Sequence, residues 1–165
     1  MLDRLKELVL EVSDTLKQHR LKLTTAESCT GGGLSYWLTS VPGSSVWFER
    51  GFVTYSNAAK NEMLGVSFQI LEEFGAVSEE TARAMAKGAL QFSSADFSIA
   101  ITGIAGPDGG SPEKPVGTVW IAWAGKDFNI MTQVFVFRGD RQAIRLAAMV
   151  KAVEGLLSLL SPTSK

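Results

Sequence analysis

The segment at residues 24–33 places reactive side chains directly before three glycines. It reads Thr-Thr-Ala-Glu-Ser-Cys-Thr-Gly-Gly-Gly, with Ser28 and Cys29 at its centre. The residues before it predict a short strand, and those after it predict a helix. A side-chain oxygen at such a junction lies beside backbone N–H groups that lack a partner within the helix. This arrangement suits an acyl-transfer nucleophile or a phosphate site, and an ordinary helix cap by Ser28 is the alternative.

Tyr55 and Lys60 form a second candidate pair. Tyr55 ends a predicted strand, and Lys60 lies on the short predicted helix that follows it. The ends of strands in open α/β sheets gather at ligand crevices, so Ser28, Tyr55 and Lys60 converge if their strands are neighbours. In the alternative interpretation, Tyr55 is an amphipathic residue of a sheet edge and Lys60 is a solvated residue of the helix surface.

A loop rich in glycine and proline follows a third predicted strand. Thr102, Gly103 and Gly106 stand at its beginning, where backbone N–H groups can approach an anion or a carbonyl oxygen. The length of the loop favours a function over a simple surface connection. Arg141 lies in the first turn of the last predicted helix, where the helix dipole does not favour a cation. It is either a ligand-binding residue or an ordinary exposed arginine.

Composition limits the classes of partner that the chain can bind. The chain has 165 residues, of which 20% are charged, and a formal net charge of −1. This balance predicts neither nucleic acid nor a membrane surface as a partner. No apolar run approaches the roughly 20 residues that cross a bilayer. The charged N-terminus is unlike a signal peptide, and together these features favour the cytoplasm.

The scarcity of cysteine and histidine limits the chemistry. One cysteine allows no internal disulfide and no cysteine-cluster metal site, so we expect no metal. The one histidine, His19, is predicted to lie near the end of the first helix, as an exposed residue or one that serves the helix C-terminus. If the protein is an enzyme, we therefore expect its base to be a lysine, a tyrosine or a carboxylate.

Helices and strands alternate over the first two-thirds of the chain, and a hairpin follows. The pattern predicts one domain over residues 1–165, an α/β fold in three α/β/α layers with a mixed sheet. Asn57, Ser67, Ser78 and Asp140 are the predicted helix caps. The predicted strands are 21–25, 50–55 and 96–102, the hairpin joins 118–123 to 130–137, and the helices cover about 5–16, 34–40, 58–64, 68–74, 79–92 and 141–160.

Five segments resemble motifs of the CinA C-terminal domain family. They occur in order over nearly the whole chain, at residues 26–32, 51–60, 75–78, 103–110 and 114–119. The resemblance is closest to the stand-alone PncC-type members, which are nicotinamide-nucleotide amidohydrolases. It implies hydrolysis of the carboxamide of nicotinamide mononucleotide (NMN) to nicotinate mononucleotide and ammonia, in the recycling of pyridine nucleotides. It also implies that no cofactor is needed and that the protein is a homodimer.

The resemblance assigns roles to individual residues. It implies Ser28 as the nucleophile, with Tyr55 and Lys60 as its partners. Either neutral Lys60 takes the serine proton directly, or charged Lys60 favours a phenolate on Tyr55 that takes it. Cys29 is the rival nucleophile. The candidate oxyanion and substrate-binding residues are Cys29, Thr30, Gly31, Gly32, Thr102, Gly103, Gly106 and Arg141.

Two other functions fit the same residues. A non-catalytic nucleotide-binding module of the family would keep the glycine loops without the catalytic pair. A serine-lysine amidase would keep the pair and act on a different substrate. Trp37, Trp47 and Phe48 lie near the predicted break at Pro42 and Gly43, where they form either a subunit interface or part of the core.

Overall fold

A single five-stranded sheet lies between two layers of helices in the computed structural model, which describes residues 1–161. The strands are β1 (Leu23–Glu27), β2 (Phe48–Val53), β3 (Phe97–Gly103), β4 (Thr118–Gly125) and β5 (Phe128–Val136). The helices are α1 (Leu2–His19), α2 (Gly33–Leu38), α3 (Asn57–Leu64), α4 (Phe68–Phe74), α5 (Glu79–Gln91) and α6 (Arg141–Leu160). The predicted α/β/α fold with a mixed sheet is confirmed.

The sheet topology gathers several chain reversals at one edge. The strand order is β2–β1–β3–β4–β5, and β1 pairs in parallel with both β2 and β3. The last two strands are antiparallel to their neighbours, so β5 runs in the same direction as β1. The segments after β1, β2, β3 and β5 therefore all leave the sheet at the same edge. In open α/β sheets, this edge is where ligands bind.

Alternating residues of the sheet build two cores. In β3, Ile99 and Ile101 face the cluster formed with α1 and α6, whereas Ala100 faces the cluster formed with α5. The α5 side uses small residues, and Ala82 and Ala86 of that helix pack in the same cluster. Small side chains on both surfaces let α5 lie close to the sheet, and this positions the neighbouring α3 near the edge described above.

The helix caps agree with the sequence in three of four cases, since Ser67, Ser78 and Asp140 each accept a backbone N–H of the first turn. The prediction of Asn57 as a cap is wrong. Ser56 holds that position, and its Oγ accepts the Ala59 N–H at 3.0 Å. The cap forms one residue earlier because the short serine side chain reaches the third N–H of the helix from extended backbone.

Trp47 belongs to the core and not to an exposed surface. It is fully buried, and its Nε1 donates to Ser13 Oγ at 3.1 Å, so core packing explains this residue. Within residues 1–161, no helix combines the length and apolar character that crossing a bilayer requires.

Candidate active site

A cleft of about 260 Å³ opens at the edge where the parallel strands end. Most of the site residues predicted from the sequence lie around it. Those that line the cleft are Ser28, Cys29, Tyr55, Lys60, Thr102, Gly103, Gly106 and Arg141. The segments after β1, β2, β3 and β5 each contribute to this set, as the strand topology requires.

Ser28 and Lys60 are in direct contact. Ser28 follows β1 immediately, and its Oγ lies 3.0 Å from the Nζ atom of Lys60 on α3. Lys60 Nζ also donates to two backbone carbonyls, those of Thr54 at 3.0 Å and Tyr55 at 3.1 Å. All three partners are neutral, so a serine hydroxyl and two peptide oxygens form the immediate polar surroundings of this amine.

Burial defines the electrostatics of Lys60. The side chain is only 1% exposed, and its amine forms no ion pair with a carboxylate of residues 1–161. Desolvation by burial lowers the pKa of Lys60 from its usual value of 10.5, and interaction with the Cys29 thiol opposes the shift. The alternative of a solvated Lys60 on the helix surface is therefore wrong.

Close helix packing holds Lys60 in this buried position. A Cβ atom on Gly88 of α5 would overlap the carbonyl oxygen of Leu64, at the end of α3. Glycine at this position lets the two helices approach one another without a side chain between them. The contact holds the end of α3 against α5 and so fixes the helix that carries Lys60.

Tyr55 meets the site in two separate ways. Its backbone carbonyl accepts from Lys60, whereas the residue as a whole is 60% exposed and its phenol contacts Arg141. Arg141 Nη2 donates to the phenolic oxygen at 3.0 Å, and Arg141 Nη1 donates to the carbonyl of Gly106 at 2.7 Å. Arg141 thus links the loop after β2 to the glycine loop after β3.

The turn after Ser28 is organised by a buried carboxylate. Glu27 is fully buried, and its Oε1 accepts from Thr30 Oγ1 at 2.6 Å and from the Leu34 N–H at 2.8 Å. Its Oε2 accepts from the Ser35 N–H at 3.0 Å and from Ser35 Oγ at 2.7 Å. The carboxylate therefore caps the N-terminus of α2, where a negative charge is favourable. Ser28 is not the cap, because α2 begins only at Gly33.

The same turn presents backbone donors near the nucleophile position. Neither Cys29 N–H nor Thr30 N–H donates to another residue within the part of the chain that the structure describes. The side chain of Thr30 faces Glu27 and not the cleft. Thr30, Gly31 and Gly32 do not line the cleft with Cys29, and they build the turn behind it.

Cys29 is a poor nucleophile in this setting. Its side chain is 5% exposed, and desolvation by burial raises the pKa of the thiol to about 11. Smaller effects lower this pKa, namely a contact of the thiol with the residue's own backbone N–H and the charges of Arg145 and Lys60, whereas Glu27 raises it further. The thiol therefore stays protonated at neutral pH, although it adjoins Ser28 in the chain.

Thr102 and the loop after it form the opposite wall. Thr102 Oγ1 donates to the carbonyl of Ala76 at 2.7 Å and so holds the segment that precedes α5. The backbone N–H groups of Ala105 and Gly106 donate to no acceptor within residues 1–161. This part of the loop lines the cleft with free donors, as an anionic or carbonyl ligand requires.

The CinA C-terminal domain family matches residues 5–160 of the sequence. The chain belongs to this family. It is 53% identical to nicotinamide-nucleotide amidohydrolase PncC of Enterobacter agglomerans over 93% of its length and 94% of the relative. It is 48% identical to the protein of the same name from Pseudomonas putida, over 96% of its length and 98% of the relative.

Solved structures of the CinA superfamily have the same fold. The competence/damage inducible protein CihA from Agrobacterium tumefaciens superposes with a TM-score of 0.94, at 45% identity, and covers 96% of both chains. A CinA superfamily protein from Escherichia coli superposes with a TM-score of 0.90, at 43% identity, over 94% of this chain and 90% of that one.

Several cleft residues of this CinA-family chain were not identified from the sequence. They are Asn57, Ala76, Val77, Ile104, Ala105, Asp108 and Gly109. Each lies in a segment that resembles a family motif, and this resemblance is the signal by which the sequence could have identified them. Most are apolar or glycine, so their side chains carry no chemical signature of their own. Among residues 1–161, no group of three histidine, cysteine or acidic side chains is arranged to hold a metal ion.

Proposed function

We propose that this protein is a nicotinamide-nucleotide amidohydrolase that converts NMN and water to nicotinate mononucleotide and ammonia. The observation that carries the proposal is the 3.0 Å contact between Ser28 Oγ and the buried amine of Lys60. A serine hydroxyl is a weak nucleophile and needs an adjacent base. Relatives with about half of their residues in common, named as PncC amidohydrolases, support the same reaction class.

The surroundings of Lys60 suit its neutral form. A neutral amine has two N–H donors and one lone pair. Nζ donates to the carbonyls of Thr54 and Tyr55 and to Ser28 Oγ. In the neutral amine the two carbonyls keep the two donors, and the third direction holds the lone pair, which can accept the proton of Ser28 Oγ. The lowered pKa of Lys60 favours this state. Lys60 is therefore the immediate base, because the phenol of Tyr55 bonds to Arg141 and its carbonyl alone meets the amine.

Acylation begins when Ser28 Oγ attacks the carboxamide carbon and its proton passes to Lys60 Nζ. The oxyanion that forms is stabilised by the backbone N–H of Cys29, which lines the cleft and donates to no other residue of the described chain. One donor of this kind is worth about 100- to 1,000-fold in kcat. The C–N bond then breaks, Lys60 returns the proton to the leaving nitrogen, and ammonia departs.

Deacylation repeats the same proton transfers with water as the nucleophile. Lys60 takes a proton from water as the oxygen attacks the ester carbon of the acyl-enzyme. The second tetrahedral intermediate uses the same backbone donor. Its collapse breaks the bond to Ser28 Oγ, which recovers a proton from Lys60, and nicotinate mononucleotide leaves.

Arg141 and the glycine loop are the candidates for the phosphate of the substrate. Arg141 is a cation at the cleft, and the N–H groups of Ala105 and Gly106 lie nearby without acceptors. Arginine and backbone donors together are a common means of phosphate recognition. The phenol of Tyr55 orients the arginine, and this gives Tyr55 a part in binding.

An ammonia-release assay tests the proposal. Wild type, Ser28→Ala and the control Ser40→Ala are incubated with NMN, and ammonia and nicotinate mononucleotide are quantified. We expect turnover by wild type and by Ser40→Ala, whose serine is exposed after α2, and loss of at least about 1,000-fold in Ser28→Ala. Binding of NMN without ammonia release would instead identify a nucleotide-binding module.

A second substrate tests the specificity within the same assay. Nicotinamide riboside lacks the phosphate but carries the same amide. A clear preference for NMN supports the nucleotide assignment. Equal turnover of both compounds would favour a serine-lysine amidase with another substrate.

A further inference from the structure

Arg145 is a partly buried arginine that the mechanism above does not use. It lies in α6 one helical turn after Arg141, on the side of the nucleophile turn formed by residues 28–33. Its Nη2 donates to the carbonyl of Thr30 at 3.0 Å. A Cβ atom on Gly31 would lie 3.3 Å from the same nitrogen, so the guanidinium rests against the bare backbone of this glycine.

The contact fixes one peptide unit of the turn at both ends. The Thr30 carbonyl accepts from Arg145 Nη2 and from the Gly33 N–H at 2.9 Å. On the other side of the same peptide, the Gly31 N–H donates to the carbonyl of Ser28 at 3.0 Å. Because a peptide unit is planar, these bonds determine its orientation.

The orientation of this peptide also determines that of the proposed oxyanion donor, the N–H of Cys29. The Ser28 carbonyl is drawn into the turn by Gly31, and the N–H of Cys29 belongs to the same trans peptide. That N–H therefore points away from the turn, on the side where Cys29 lines the cleft. Arg145 and Glu27 hold different atoms of the turn. Arg145 donates to the carbonyl of Thr30, whereas Glu27 accepts from backbone N–H groups at the start of α2.

The charge of Arg145 reaches the site as well. It forms no ion pair with a carboxylate in the described part of the chain, and its buried Nε has no hydrogen-bond partner there. The guanidinium is close enough to Cys29 to favour an anion at that residue. An oxyanion that forms beside the Cys29 N–H experiences the same field, which little solvent screens.

We infer that Arg145 is a positioning residue for the oxyanion-binding turn, which it holds through the Thr30 carbonyl and supports with its positive charge. This inference rests on the proposed function. The developing negative charge exists only in the transition state, so Arg145 acts on the chemical step and leaves ground-state binding of the nucleotide nearly unchanged. Arg141 and Arg145 then have different tasks although they share one helix.

Steady-state kinetics on NMN separate these two tasks. Arg145→Met is expected to lower kcat by about 10- to 100-fold, with KM within about 3-fold of wild type. Arg145→Lys keeps a charge and a donor, and we expect it to recover part of the loss. Arg4→Met removes an arginine held by surface ion pairs and serves as the matched control. A rise in KM at unchanged kcat would overturn the inference, because Arg145 would then bind substrate directly.

Chemical rescue distinguishes positioning from a loss of folding. Arg145→Ala leaves room behind the Thr30 carbonyl, and guanidinium ion at millimolar concentration is expected to raise its kcat several-fold. The same ion should not activate wild type. If Arg145→Ala loses activity together with its thermal transition, and neither guanidinium nor Arg145→Lys restores kcat, the residue is structural only and the inference is wrong.

A fluorophosphonate probe tests the turn independently of the natural substrate. In this reaction Ser28 Oγ attacks phosphorus, fluoride leaves, and Lys60 takes the serine proton, so one P–O bond forms as one P–F bond breaks. Intact-protein mass spectrometry and peptide mapping follow the adduct. We expect Arg145→Met to slow labelling by about 10-fold or more and Arg4→Met to leave it unchanged.

The two assays give distinguishable failures. Arg145-dependent labelling without ammonia release from NMN would disprove the proposed substrate and leave the role of Arg145 standing. Ammonia release by wild type with equal labelling and equal kcat in Arg145→Met would overturn the inference and leave the proposed function standing. Absence of any Ser28 adduct in wild type would count against both.

Discussion

Lys60 Nζ and Ser28 Oγ lie 3.0 Å apart, although 32 positions separate the two residues in the chain. The parallel pairing of β1 with β2 brings them together, since Ser28 follows one strand and α3 follows the other. No charged partner in the described residues compensates the amine, and its polar contacts are all neutral. A lysine in this position loses its proton more readily than one at the surface.

The first prediction concerns the pH dependence of turnover. If neutral Lys60 is the base, kcat/KM rises with pH through the lowered pKa of Lys60 and levels off before the usual value of 10.5 is reached. Lys60→Arg keeps the charge but cannot release a proton in this range, so we expect a loss of about 100- to 10,000-fold. The pH–rate profile of ammonia release measures both effects.

Lys87→Arg provides the matched control for this substitution, because Lys87 is an exposed residue of α5. Its profile should coincide with that of wild type. A Lys60→Arg variant with more than a tenth of wild-type turnover would contradict the assignment of Lys60 as the base.

The second prediction concerns stability. Burial makes folded Lys60 release its proton at lower pH than the unfolded chain does, where the pKa is near 10.5. Between these two values the unfolded chain binds more protons, so the free energy of unfolding rises with pH across this window. At pH values below the pKa of Lys60 in the folded protein, the amine is charged, and its burial lowers the free energy of unfolding by the full amount. Lys60→Met removes the titrating group and should flatten the rise.

Urea unfolding at a series of pH values between neutrality and pH 10 measures this difference. Lys87→Met, again at the surface, should retain the wild-type slope. Parallel curves for wild type and Lys60→Met would show that the amine titrates in the folded protein as it does in the unfolded chain.

The third prediction separates the role of the Tyr55 phenol from that of its backbone carbonyl. Tyr55→Phe removes the hydroxyl that accepts from Arg141 and keeps the backbone carbonyl that accepts from Lys60. We therefore expect KM for NMN to rise several-fold, because the arginine loses an orienting contact. The pH–rate profile should keep its shape. Tyr36→Phe, at an exposed residue of α2, is the control.

A different outcome would identify Tyr55 as the base. In that mechanism the phenolate takes the proton of Ser28, and its removal lowers kcat by at least about 100-fold with little change in KM. Steady-state kinetics of the single variant therefore decide between the two interpretations that the sequence left open.

The sequence allowed the residues at strand ends to be predicted because their types are distinctive. Ser28 precedes a run of glycines, and Tyr55 and Lys60 fall within one motif, so family resemblance and strand topology lead to the same cleft. Burial of Lys60 was not predictable, since α3 has no pronounced apolar face and its packing depends on Gly88 of another helix. Gly88 and the end of α3 are far apart in the sequence, and their contact exists only once the helices have packed.

Glu27 shows a second limit of prediction. Its role depends on four donors from residues 30, 34 and 35, which meet one carboxylate only after the turn has formed. Ala76 and Val77 line the cleft through their position beside Thr102, and their small apolar side chains give no chemical signal. The homodimer stays a prediction, although the burial of Trp47 removes one residue from the suggested interface.

The fourth prediction concerns Glu27. In Glu27→Gln the amide nitrogen must face either Ser35 or the donors of Thr30 and Leu34, so one set of donors loses its acceptor. A buried donor without a partner costs about 1–3 kcal/mol. We expect a lower free energy of unfolding in urea and a fall in kcat, because the turn carries both Ser28 and the proposed oxyanion donor. Glu80→Gln in the first turn of α5 should change neither by a comparable amount.

The fifth prediction tests Cys29 against Ser28 as the nucleophile. With a thiol pKa of about 11 and 5% exposure, Cys29 is expected to react very slowly with iodoacetamide at neutral pH. Its thiolate share at pH 7 is roughly one in 10,000. Labelling should become rapid in urea, where the thiol has an ordinary pKa, and this unfolded sample is the control.

Cys29→Ala keeps the backbone N–H and should retain at least about a tenth of wild-type turnover, since only the backbone N–H of this residue serves the proposed oxyanion site. Rapid alkylation of the folded protein that abolishes ammonia release and is prevented by NMN would instead assign the nucleophile to Cys29.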